Sequence, residues 1–291
     1  MGPGAALDQV MSALHCPVCA ASLGRIGPQA PILGCAAGHR FDIARQGYVS
    51  LLSGRSTGRS SDTAEMIAAR RAALATAPYR ALRTAVAEAV AQVLRGSAAP
   101  LIVDAGCGTG DYLATCLDVY PDARGIGLDL SKYAARATAT SHPRAGAVVA
   151  DLWQPWPLAD GCADVVLAVF APRGFEEARR ILLPGGLLVA VTPQADHLRE
   201  LIEPMGMLGV APGKRERLAA ELGEVGFSTI STSSVQRRDE WGRDDLVNVV
   251  AMGPSAFHTD AARLRDRAEK LCDADATCAV TLAVDITVAL S

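Results

Sequence analysis

Four residues near the start of the chain have the types and spacing of a metal site. Cys16-Pro-Val-Cys19 and Cys35-Ala-Ala-Gly-His39 together read C-x2-C-x15-C-x3-H. A two-residue gap lets two thiolates grip one ion from a tight turn. A second turn then supplies the other pair, and three sulfurs with one nitrogen complete a tetrahedral zinc site. Four protein ligands leave no open position, so the expected zinc is structural, one per chain. The competing reading is three buried cysteines and an incidental histidine, and two ligand pairs at metal spacing weigh against it. His15 would crowd the first turn, which makes His39 the preferred fourth ligand. Cys107, Cys116, Cys162, Cys272 and Cys278 read as small core residues.

A second constellation follows at Asp104-Ala-Gly106-Cys-Gly108-Thr109-Gly110-Asp111, after the apolar run Leu-Ile-Val. Glycines after a strand let the backbone approach a ligand where a Cβ would clash. The dinucleotide fingerprint wants its third Gly or Ala where Asp111 stands. The pattern D-x-G-x-G-x-G instead resembles the loop of class I S-adenosylmethionine-dependent methyltransferases. Asp129 is expected to end the second strand, where a carboxylate can accept both ribose hydroxyls. Asp151 is expected to end the third, where its side chain or the Leu152 amide can reach an adenine edge. Acids at three successive strand ends are more specific than the glycines alone.

The elements that must hold these residues are legible in outline. Leu101–Asp104, Gly125–Asp129, Ala147–Asp151, Asp164–Phe170 and Leu187–Thr192 are apolar runs separated by helical segments, which implies βαβ units and a mostly parallel, doubly wound sheet. Asp62-Thr-Ala-Glu65 has capping-box spacing and opens a helix through Met66, Arg70 and Leu74 that Pro78 should stop. A second helix is expected over about 79–95, another near 214–223, and strands near 226–236 and 278–289. The expected division is a zinc-binding module at 1–52, to which the family resemblance given below adds RNA recognition, a linker with helices at 53–95, and a domain at 96–291 that resembles the S-adenosylmethionine-dependent methyltransferases. The fold class is α/β, Rossmann-like, with a small N-terminal zinc module.

Taken together, the chain resembles the RlmA family, rRNA guanine-N1 methyltransferases with an N-terminal zinc module. Beyond the four metal positions, the resemblance rests on Phe41-Asp-Ile-Ala-Arg-Gln-Gly-Tyr-Val-Ser-Leu-Leu52, Asp62-Thr-Ala-Glu-Met66 with Ala69-Arg-Arg71, and the Phe170-Ala-Pro-Arg173 loop. It also rests on Pro193 with His197-Leu-Arg-Glu-Leu201, and on Met252-Gly-Pro-Ser-Ala256. It implies that Tyr79 contacts the cofactor from outside the sheet, that Thr109, Gly110 and Asp111 form the cofactor loop, and that His197 is a cofactor-side histidine. The implied target is a 23S rRNA hairpin loop near the peptide exit tunnel, and the implied assembly is a homodimer. Ala77-Pro78 before Tyr79 departs from some relatives.

The acceptor loop excludes some chemistry. Exocyclic-amine methyltransferases resemble one another in an Asn- or Asp-Pro-Pro-aromatic loop, and pyrimidine C5 methylation needs a cysteine; Ala171-Pro172-Arg173 offers neither, which fits a ring nitrogen. No general base is assigned, and Arg173 is the candidate stabiliser of developing negative charge or of a phosphate. Trp153 and Trp156 either stack on a base or pack under the turn to Leu158, and packing is preferred.

The formal charge of −3 conceals an asymmetry. Residues 1–80 hold eight arginines against four acids, a balance of +4, leaving −7 for the rest. RNA should therefore meet the N-terminal portion, with Arg55, Arg59, Arg70 and Arg71 as phosphate contacts. With 25 Arg against 3 Lys, the composition suggests a high-GC genome. Relatives from such genomes include macrolide-resistance enzymes, so resistance is an expectation. No basic start precedes an apolar stretch, and no run approaches the ~18 apolar residues of a membrane helix, so a cytoplasmic, membrane-free protein is expected. The alternative function is a small-molecule O- or N-methyltransferase whose zinc module only shapes a pocket; a noncatalytic RNA-binding protein is disfavoured by the intact Asp104, Asp129 and Asp151.

Overall fold

Eight strands form one sheet, and the zinc-binding end of the chain is built into it. The structure is a computed structural model that describes the chain except residues 1–3, 28–29, 55–57, 59, 92–93, 95–97, 172–173, 254, 256–259 and 273–275. The N-terminal portion contains α1 (Ala5–Gln9), a three-stranded sheet of β1 (Gly24–Arg25), β2 (Ile32–Gly34) and β3 (Arg40–Asp42), and then β4 (Tyr48–Ser50). Two helices follow, α2 (Ala64–Leu74) and α3 (Ala77–Ala91). The alternating region runs β5 (Leu101–Ala105), α4 (Asp111–Val119), β6 (Arg124–Asp129), α5 (Lys132–Thr138), β7 (Ala145–Val149), β8 (Ala163–Val169), α6 (Phe175–Ile181), β9 (Leu182–Pro193). The rest is α7 (Arg199–Met205), α8 (Lys214–Glu224), β10 (Ser228–Gly242), α9 (Arg243–Ala251), α10 (Ala261–Leu271) and β11 (Thr277–Leu290).

The strand order is β10-β11-β9-β8-β5-β6-β7-β4, parallel from β4 to β9 and antiparallel at β11 and β10. The chain reverses direction of travel between β5 and β8, and ligands of open α/β sheets bind at the carboxyl ends of strands beside such a switch. Each central strand is buried on both faces, which is why its sequence reads as a continuous apolar run. Ile102, Val165, Val189 and Val284 join one core with α3, α4 and α9; Leu101, Val103, Val166 and Leu188 join the other.

That second core also contains Leu7, Val10, Leu14, Leu33 and Val49. β4 pairs in parallel with β7, Val49 opposite Val148. Gly146 lets α1 dock, since a Cβ there would lie 3.0 Å from Val10 and 3.3 Å from Leu7. The described residues of the N-terminal portion therefore share a core with the sheet.

Two local expectations shift. Thr63, not Asp62, caps α2, its hydroxyl accepting from the Met66 N–H at 3.3 Å. Pro78 does not end a helix but lies in the first turn of α3, where its missing N–H leaves no bond unmade. No described helix is long and apolar enough to cross a membrane.

Candidate metal centre and cofactor cleft

The four expected ligands converge. Cys16 Sγ lies 3.6 Å from His39 Nδ1, Cys35 Sγ 3.3 Å from the same nitrogen, and Cys19 Sγ 3.6 Å from Cys35 Sγ. All four ligand atoms fall within 4.8 Å of one another. Zinc–sulfur bonds of about 2.3 Å and zinc–nitrogen bonds of about 2.0–2.1 Å place tetrahedral ligand atoms about 3.5–3.8 Å apart, so the donor set fits the ion. Each cysteine-bearing turn is closed by backbone: the Ala20 N–H donates to the Cys16 carbonyl at 2.9 Å, and the Gly38 N–H to the Cys35 carbonyl at 3.0 Å. Gly38 adopts φ +86°, a conformation that favours glycine. His15 is not among the converging ligands, and its backbone N–H donates to the Pro157 carbonyl at 2.9 Å.

The glycine loop lies at the carboxyl end of β5. Gly106, Gly108 and Gly110 all have positive φ. A Cβ on Gly110 would meet Ser141 Oγ at 2.7 Å and the Thr138 Cα at 2.9 Å, so the loop must be glycine to lie against α5. Asp129 ends β6 and supports this loop, its carboxylate accepting from the Gly108 N–H at 3.0 Å and the Ser131 N–H at 2.8 Å. Burial raises the Asp129 pKa, while those two N–H groups and the charge of Arg70 oppose the shift. Thr109 donates to Asp111 at 2.6 Å, and Asp111 forms an ion pair with Arg83 of α3.

Among the described residues, five buried side-chain polar atoms have no hydrogen-bond partner: Asp104 Oδ2, Tyr112 OH and Arg83 Nε gather beside this loop, Trp241 Nε1 lies by Tyr79, and Arg124 Nε sits apart at the first residue of β6. Buried groups without partners are rare in native folds, and a set of them around one cleft marks a place for a polar ligand. Burial, and secondarily the charge of Asp129, pushes the Asp104 carboxyl up to about 7. Tyr79 is buried, its ring 6.0 Å from that of Trp241, and its hydroxyl feels the charge of Arg70. An acidic oxygen lacking a donor, hydroxyls and a glycine cradle fit a cofactor that carries an ammonium group and a ribose.

On the far side of the switch, Phe170 follows β8 with φ +52°. A non-glycine residue in this region costs about 1–2 kcal/mol, and such strain gathers at functional sites. Its ring centroid lies 5.7 Å from that of His197. Burial holds the His197 imidazole down to about 4, so it is neutral at pH 7. The Ala283 N–H donates to His197 Nδ1 at 3.3 Å, which assigns the proton to Nε2 and leaves that nitrogen a donor.

Other expected residues fall differently. Asp151 lies beyond β7, which ends at Val149, and its Oδ1 accepts from the Trp153 N–H at 3.0 Å in a turn. The Leu152 side chain is buried, its carbonyl accepting from the Trp156 indole at 3.3 Å. Trp156 packs as expected; Trp153 does not, being 51% exposed. Arg70 faces inward, paired with Asp62 at 2.7 Å, donating to the Met252 carbonyl at 2.9 Å and lying against Gly108. It is thus engaged beside the glycine loop, while Arg71 of the same helix is exposed. Arg55, Arg59 and Arg173 lie outside the described residues. Arg83, Tyr112 and Trp241 carried no sequence signal, apart from Arg83 standing one helical turn after Tyr79.

Comparison with known proteins places both parts of the chain. The N-terminal zinc-ribbon family of RlmA matches residues 14–55, and a methyltransferase domain family matches residues 102–186. A protein of Micromonospora griseorubida named as a 23S rRNA (guanine-N1)-methyltransferase is 47% identical over 93% of this chain and 96% of its own length. The 23S rRNA (guanine(748)-N1)-methyltransferase of Streptomyces fradiae is 43% identical over 96% of this chain and 97% of its own. Among solved structures, a Bacillus halodurans C-125 protein described as a methyltransferase superposes with a TM-score of 0.52 at 15% identity, covering 70% of this chain and 97% of its own, which shows the shared fold. A zinc-ribbon cluster, an S-adenosylmethionine-type cleft and whole-length likeness to these enzymes agree: the chain belongs to the RlmA family of 23S rRNA (guanine-N1)-methyltransferases.

Proposed function

We propose that the protein transfers a methyl group from S-adenosylmethionine to N1 of one guanine in a 23S rRNA hairpin loop, acting in the cytoplasm. The observation that carries this reading is likeness at 47% and 43% identity over 93% and 96% of the chain. The small-molecule alternative has no such support.

When bound, S-adenosylmethionine supplies an electrophilic methyl on a sulfonium, open to in-line displacement by a ring nitrogen. Asp104 would hold the cofactor's ammonium through the oxygen that lacks a partner, and Asp129 would take the ribose hydroxyls with its remaining lone pairs. Gly106, Gly108, Thr109, Gly110 and Asp111 would shape the floor, Tyr79 would close the helical side, and Asp151 with Leu152 would border the adenine. His197 would act as a neutral donor beside the methyl. With Nδ1 engaged by Ala283 and Nε2 protonated, it does not serve as the base for guanine N1. Most of the acceleration then comes from positioning.

The test is incubation with labelled S-adenosylmethionine and either 23S rRNA or a metabolite extract, followed by primer extension. Label in RNA and a reverse-transcriptase stop at one guanine are expected, with the position named for the Streptomyces fradiae relative the first to inspect. Label in small metabolites and none in RNA overturns the reading. Raised macrolide tolerance on expression in a susceptible host tests resistance, and light scattering tests the homodimer.

A further inference from the structure

Among the described residues, the aromatic side chains that stand exposed are Tyr133, Trp153 and Phe170, at 39%, 51% and 43%. All three lie at one rim of the sheet. Phe170 follows β8, Tyr133 follows β6 and Trp153 follows β7, so the rings border the carboxyl ends of the strands that build the cofactor cleft. Single exposed apolar residues need no explanation, but this convergence of the exposed aromatics on the reaction edge does.

The segment that follows Trp153 is packed from two sides. Gly174 packs so closely that a Cβ on it would lie 2.9 Å from the Trp156 ring and 3.3 Å from the Leu152 carbonyl. On the other side, the zinc-bearing segment grips the same turn: Ala159 N–H donates to the Ala13 carbonyl and His15 N–H to the Pro157 carbonyl, both at 2.9 Å. β8 and β7 stand three strand spacings apart, about 14 Å. The strand ends from which the two rings project are therefore spaced on the scale of neighbouring nucleotides in an RNA loop.

Resting on the function proposed above, we propose that Phe170 and Trp153 are the stacking platform for unpaired nucleotides of the RNA hairpin. Phe170 stacks on the target guanine beside His197, and Trp153 stacks on a second nucleotide splayed from the loop. Sequence-specific RNA recognition targets unstacked bases of this kind, and an aromatic face receives any of them. A turn clamped between metal module and β8 loop gives the zinc a positional task, since it fixes where Trp153 stands.

Trp153 reports on itself, because Trp156 and Trp241 are buried at 3% and 2% exposure. The probe is a transcribed 23S rRNA hairpin containing the guanine mapped by primer extension, with a fully paired duplex of equal length as control. The hairpin is expected to quench the intrinsic fluorescence. Trp153→Ala should raise the hairpin Kd about tenfold and leave duplex Kd and cofactor Kd within twofold, while Trp153→Phe keeps most of the affinity. Phe170→Ala should lower kcat on RNA more than it raises KM, with rescue by Phe170→Tyr. Wild-type hairpin affinity in Trp153→Ala, or equal weakening toward hairpin and duplex, overturns the platform while RNA methylation by the wild type stands. Quenching by anionic lipid vesicles and none by RNA assigns the rim to a membrane and overturns it too. Failure of the wild type to bind or methylate RNA overturns the function itself.

Discussion

Asp104 is the residue on which the pH behaviour of the cleft should turn. Its carboxyl titrates at about 7 because burial, then the neighbouring charge of Asp129, disfavours the anion. In the unfolded chain the group loses its proton near 3.9, so between about pH 4 and 7 the folded protein binds the extra proton and this residue lowers stability as pH rises. A bound cation reverses the preference and expels the proton. Cofactor affinity should therefore rise about fivefold between pH 6 and 7, about tenfold between pH 6 and 8, and level off above that. Titration calorimetry in buffers of different ionisation enthalpy should detect proton release at pH 7. Asp104→Asn should weaken binding and flatten the profile; a flat profile in the wild type would remove Asp104 from the cofactor's contacts. At this scale the sequence was readable wherever geometry is local. Asp104 and the glycines lie at the end of one strand, and the Cys16/Cys19 and Cys35/His39 pairs each close one turn. Arg83, Tyr112 and Trp241 were not readable, because α3, α4 and β10 meet only once the sheet order is known. Arg70 shows a related limit: its charge is visible in sequence, but the packing that sets Asp62 and Gly108 against it is not.

At the scale of elements, the zinc turns and β4 solve one problem together. Strands of two or three residues cannot hold themselves, and the N-terminal segment closes its core only against the face of the large sheet. A composition shift near residue 52 marks the end of the metal-binding portion, but it does not mark the end of a core, since β4 adds to the edge beside β7. Pro78 shows the same limit, for a proline breaks one helix and starts another equally well. The metal should therefore stabilise more than its own loops. Elemental analysis should find one zinc per chain. Cys19→Ser should lose the ion, open residues 14–45 to protease and lower Tm by several degrees, while the sheet from β5 onward stays protected. A metal-free protein with its N-terminal portion still protected would refute this role.

For the whole molecule, charge is divided between two tasks, though not as the arginine count alone implies. Of the N-terminal cations, Arg25 is committed to Asp8 and Arg70 to Asp62. Arg40, Arg45 and Arg71 are exposed, and among the described residues none of them has an acidic partner. Phosphate contacts release counterions, so each cation that engages RNA steepens the salt dependence of binding by about 0.7–0.9 in log–log slope. Replacing Arg40, Arg45 and Arg71 together with glutamine should make the slope shallower by about 2 and weaken RNA binding at low salt, with cofactor affinity unchanged. Arg70→Gln should do the opposite. It removes the guanidinium that lies against Gly108 and opposes the raised pKa of Asp129, so cofactor affinity should fall while the salt slope of RNA binding stays as it was. Filter binding across a salt series, run beside cofactor calorimetry on the same preparations, separates the two sets. If the triple variant keeps the wild-type slope, the basic N-terminal balance is a solvated surface and RNA is held by the rim of the sheet alone.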